Sequence, residues 1–142
     1  MKKCVFLSHF FLFTLSMSVS AWAADRLTQL TELLIPYAAG MAYLGQCDDF
    51  KVQLEHHPYY QQNVDLIVNA IALELKGLRT ELSEESVSEH ILDKRKVLAK
   101  KAVENIREFG CDSEYGNAAR DHFEQHKDQM PSELADHINE LN

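Results

Sequence analysis

Apolar residues recur at Leu27, Leu30, Leu34, Tyr37, Met41 and Leu44. The 3-4-3-4-3 spacing puts them on one stripe of a helix. Pro36 falls inside this pattern, and it predicts that the helix bends or breaks in two, because proline removes a backbone donor. The small residues Ala38, Ala39, Gly40 and Ala42 follow, which would let another helix pack closely. The helix should end near Cys47, before Asp48 and Asp49.

Residues 48–58 read as a connector: Phe50, Val52 and Leu54 alternate with polar residues and would anchor a loop. A second helix starts near Pro58 and Tyr59, with a stripe of Tyr60, Val64, Ile67, Ile71, Leu75 and Leu78. Gly77 weakens its last turn. A polar linker follows, and Ser86 or Ser88 can cap a third helix from about Val87 to Phe109. Lys94 interrupts that helix's apolar stripe, and Gly110 is the stop signal. Asp112 or Ser113 can cap a fourth helix, and Pro131 ends it and opens a short terminal one. The fold class is all-α: a four-helix bundle with a short C-terminal helix.

The amino terminus sets the compartment. Lys2 and Lys3 precede a short, Phe- and Leu-rich stretch, and Ala21-Trp22-Ala23 offers small residues around a bulky one. This is the pattern of a secretory signal peptide cut after Ala23. The stretch is interrupted by Ser8, His9, Thr14 and Ser16 and falls short of the ~20 apolar residues of a membrane span. The expected organisation is a signal peptide over 1–23, a helical domain over 24–130 and a C-terminal appendage over 131–142. The mature chain should be periplasmic and soluble, with no membrane span.

The chain holds 14 basic and 22 acidic residues, a net charge of −8. Cleavage would remove Lys2 and Lys3 and leave about −10, a field that repels phosphates and argues against nucleic acid as a partner. Export also changes the reading of the cysteines. Cys47 and Cys111 are the pair left after the signal, and an even pair in an exported chain predicts a disulfide. It would contribute about 4 kcal/mol in the chain-entropy model. Cys47 ends the first helix and Cys111 opens the fourth, ends that share a pole in an up-down-up-down bundle.

Candidate chemistry is sparse. His122 and His126 are four residues apart, so both leave one side of a helix, a two-ligand metal spacing that still lacks a third ligand. The run Lys94-Arg95-Lys96 with Lys100-Lys101 is either a solvated face paired with acids such as Asp93 and Glu104 or a contact for an acidic partner. No nucleophile elbow, phosphate loop or metalloprotease helix is present, so the chain reads as a non-enzyme with no cofactor. Tyr37 and Tyr43 flank the small run and Tyr59 and Tyr60 open the next helix. They are candidates for the edge of a groove that docks a partner helix, or for one end of the core.

The stretch Ala39-Gly40-Met41-Ala42-Tyr43-Leu44-Gly45-Gln46-Cys47, the connector with Pro58, the helix with Ile67, Ala70 and Ile71, and the second cysteine Cys111 resemble the helical pilotins of type II secretion. The resemblance covers roughly residues 27–126. No lipid-bearing cysteine follows the signal, so it points to the family's non-lipidated exported relatives, and the segment after Pro131 is extra. It implies a helical fold and a protein partner in the cell envelope, such as a secretin subunit. Two other readings stand beside this one: an immunity protein or stress chaperone that sequesters a toxin or unfolded client, and a metal-binding protein using His122 and His126.

Overall fold

The computed structural model describes the backbone of residues 12–141 and the side chains of residues 24–141. The n-region and early apolar part of the expected signal peptide, residues 1–11, lie outside the described residues. The rest is helical, with no strand among the described residues: α1 Leu12–Cys47, α2 Phe50–His56, α3 Pro58–Leu78, α4 Glu84–Phe109, α5 Glu114–His126 and α6 Pro131–Glu140. None of these helices is long and apolar enough to cross a membrane.

α1 is the centre of the fold and packs against α3, α4 and α5. Its stripe buries Leu30, Leu34, Tyr37 and Leu44 against Tyr60, Val64 and Ile67 of α3, Val87 and Ile91 of α4, and Phe123 of α5. A second face buries Ala39 and Ala42 against Ala102, Ile106 and Ala119. The small run thus permits the close helix approach that its composition predicts. α6 packs on α3 and buries Leu134 and Ile138 in the main core.

Pro36 does not divide α1, which is continuous through it. An interior proline costs a helix about 3 kcal/mol. Burying each of the large apolar side chains on either side of it returns about 1.5–3 kcal/mol. Four such side chains on one rigid rod outweigh one lost backbone bond.

The connector differs from its sequence reading as well. Residues 50–56 form helix α2, capped by Asp49, whose carboxylate accepts the Val52 N–H at 3.2 Å. Phe50 and Val52 are exposed rather than anchored, and only Leu54 packs against the main core. α4 starts three residues earlier than expected, because Ser83 and neither Ser86 nor Ser88 is its cap: the Ser83 hydroxyl accepts the Ser86 N–H at 3.2 Å.

Other boundaries fall where their residues predict. Pro58 opens α3, Ser113 caps α5 and Pro131 opens α6. Gly110 ends α4 with φ +95°, a conformation that side-chain-bearing residues rarely adopt. The turn it makes delivers Cys111 to Cys47, and the two are disulfide-bonded with Cα atoms 5.9 Å apart.

Candidate functional site

Four of the residues singled out in the sequence, Tyr37, Tyr60, His122 and His126, assemble in one place inside the protein. Tyr37 and Tyr60 are almost fully buried, with ring centroids 4.9 Å apart. His122 meets Tyr37 edge-on at 4.7 Å, and His126 lies over His122 at 4.4 Å. The Tyr60 hydroxyl and His122 Nδ1 are 2.9 Å apart. The Tyr37 hydroxyl donates to Gln129 Oε1 at 2.8 Å, and the buried Asn63 amide donates to the Gln129 carbonyl at 2.9 Å. The cluster therefore ties α1, α3 and α5 to the turn before α6.

Of the two readings of these tyrosines, groove edge or one end of the core, Tyr37 and Tyr60 take the second: both are buried. Tyr43 is half-buried and Tyr59 is exposed, and neither joins the pair. The physical reason is that a stripe residue facing the centre of a bundle buries regardless of its polar tip, provided the tip finds a partner. Here both hydroxyls do.

Burial dominates the electrostatics of the cluster. It pushes the Tyr37 phenol up to about 12. It holds the Tyr60 phenol well above the usual range, with Tyr37 adding to the effect. It pulls the His122 imidazole down to about 4, helped by the neighbouring His126. His122 is accordingly neutral at pH 7 and acts as a hydrogen-bonding core residue.

His122 and His126 lie side by side, but their Nδ1 atoms face Tyr60 and Gln129 at 2.9 and 3.0 Å. No group of three or more His, Cys, Asp or Glu side chains placed to hold a metal ion occurs among the described residues.

The open surface lies elsewhere. Residues of α1, α3 and α4 line an apolar cleft of about 370 Å³. Leu34, Val68 and Ile91 form its buried floor, and Ile71, Leu75 and Leu98 its walls. Ile35 and Val97 stand at its rim, 48% and 64% exposed. A second apolar hollow of about 250 Å³ adjoins it toward Phe50 and shares Leu34, Arg95 and Leu98. Together they form a trough along the α1–α4 seam.

Basic side chains edge this trough. Ile91, Lys94, Leu98 and Lys101 follow one stripe of α4 at spacings of 3, 4 and 3, so both lysines stand at its mouth. Arg95 is held 3.0 Å from Asp65 of α3. Lys96 and Lys100 pair along their own helix with Asp93 and Glu104. The basic run therefore divides: part is a solvated, paired face, and part borders the trough. The sequence did carry one sign of this site. Lys94 interrupts the apolar stripe of α4 between Ile91 and Leu98, and the interruption falls at the cleft, before the stripe is buried again at Ala102 and Ile106.

Comparison with family models, with curated proteins and with solved structures gives no match, so fold and site rest on this chain's own residues.

Proposed function

We propose that this chain is an exported, non-enzymatic binding protein that docks a helix of a cell-envelope protein in the trough between α1, α3 and α4. The observation that carries this reading is the trough itself. Its walls are apolar and open, and Ile35 of α1 and Val97 of α4 face solvent beside them over a buried floor of Leu34, Val68 and Ile91. An open apolar groove between bundle helices suits an amphipathic helix with anchors at i, i+3, i+4 and i+7. A four-helix arrangement of α1, α3, α4 and α5, with α6 appended, is part of this reading.

The role fits a pilotin-like adaptor working in the periplasm after removal of residues 1–23, with a secretion-system subunit as partner. The test is photo-crosslinking in cells from an analogue placed at Val97, with Arg120 on α5 as the control position. The identified partner must then bind the purified protein, and a bulky Val97→Trp substitution must weaken that binding. Equal crosslinking from both positions contradicts the reading.

A second reading is favoured by one observation, the neutral buried His122. Acid would charge it inside the core and loosen α5, exposing apolar surface as an acid-activated stress chaperone requires. Suppression of client aggregation that is the same at pH 7 and pH 3 removes this alternative.

A further inference from the structure

The geometry points to an acidic amphipathic helix as the occupant of the trough, one carrying carboxylates two turns apart beside its apolar stripe. This inference rests on the docking reading and adds the chemistry of the partner.

Three observations support it. First, the chain has 22 acidic residues against 14 basic ones, yet no carboxylate lines either hollow. The charged residues that do line them are Lys94, Arg95 and Lys101. Second, the lysines at the mouth are uncommitted. Arg95 has Asp65, Lys96 has Asp93 and Lys100 has Glu104, but Lys94 and Lys101 have no carboxylate within ion-pair distance among the described residues. Third, the spacing is that of a helix. Residues seven apart lie about 10.5 Å from each other along the axis, so a partner helix running along α4 meets both lysines with acids at its own i and i+7.

The chain's overall negative charge opposes an acidic partner at long range. At physiological salt that field is screened beyond about 8 Å. At contact the two local lysines decide the sign, and they also fix the register of the docked helix. Ile35 and Val97, on opposite banks, supply the apolar contact between them.

The experiment uses the purified exported chain and two fluorescein-labelled 16-residue helical peptides read by anisotropy. Both carry the same leucine stripe. One has Glu at i and i+7 beside it, and the other has Lys there. The wild-type protein should bind the Glu peptide about tenfold more tightly than the Lys peptide, the size expected of two rim ion pairs. The double variant K94E/K101E should invert the preference, and 0.5 M NaCl should narrow it.

Equal binding of both peptides, unchanged in the double variant, overturns the acidic partner and leaves the docking reading standing. Binding of neither peptide overturns both. Two controls distinguish other occupants. A dimer in sedimentation that dissociates in V97E assigns the trough to a second copy of this chain. Displacement of the Glu peptide by dodecanoate but not by an unlabelled Glu peptide assigns it to a single-chain amphiphile. Either result overturns the inference.

Discussion

A Cβ atom placed on Gly40 would lie 2.1 Å from the phenol oxygen of Tyr60 and 3.0 Å from the ring carbon that bears it. The absence of a side chain in the middle of α1 is therefore what admits the ring of α3. Tyr60 cannot swing away, because its ring is buried against Tyr37 and Phe123 and its hydroxyl meets His122. Alanine raises helix propensity by about 1 kcal/mol over glycine. Overpacking a filled core costs roughly 1–3 kcal/mol. Gly40→Ala should thus destabilise the protein on balance, by thermal or denaturant melting, despite improving the isolated helix.

The tyrosines separate by burial. Tyr37→Ala and Tyr60→Ala each remove a large core side chain and should lower stability by about 3–5 kcal/mol. Tyr59→Ala, at an exposed position, should change it by no more than about 0.5 kcal/mol. Urea unfolding of the three variants checks the ranking. A small loss for Tyr60→Ala would mean that the ring is not packed as described.

Stability should fall with acid through the window set by His122. Its folded-state value near 4 is below the ordinary histidine value of 6.5, so the unfolded chain binds the proton first. Stability therefore rises with pH across about 4 to 6.5, and it is lost as the pH drops through that range. The imidazole is only partly shielded, so the loss is roughly 1–2 kcal/mol once solvent screening is allowed for. His122→Phe should flatten this part of the stability–pH curve relative to wild type. An unchanged slope in the variant would assign the acid sensitivity to other groups.

Cys47 and Cys111 close a loop with 64 residues of sequence separation. Replacing either by Ser should lower stability by about 2–5 kcal/mol. Thiol titration of the oxidised, unfolded protein should find none free at these two positions. The bridge also pins the end of α1 beside the start of α5, so reduction should loosen the Ala39–Ala42 face before the Tyr37 cluster.

Much of the fold is legible in the sequence, because its strongest signals are local. Pro58, Gly110, Ser113 and Pro131 each act on one or two backbone groups, and each marks a helix boundary where it stands. Misreadings arise where a local rule competes with packing. Phe50, Val52 and Leu54 alternate as in an extended segment, but the Asp49 cap makes the stretch helical. Pro36 reads as a break and is overridden by the burial of its neighbours. Tyr37 and Tyr60 look amphipathic in sequence, and only the positions of Gln129 and His122, more than sixty residues away, show that their polar tips are satisfied inside. The trough is the least legible feature. It is lined by residues of three helices, α1, α3 and α4, which no single stripe encodes.

The most direct measurement is amide chemical-shift mapping of the isotope-labelled protein, titrated with the leucine-striped Glu peptide. Shifts should concentrate on α1 around residues 31–35, on α3 around 68–75 and on α4 around 90–101, and Val97→Trp should abolish them. Shifts that map instead to α5 and α6, or that survive Val97→Trp unchanged, would contradict docking in the trough.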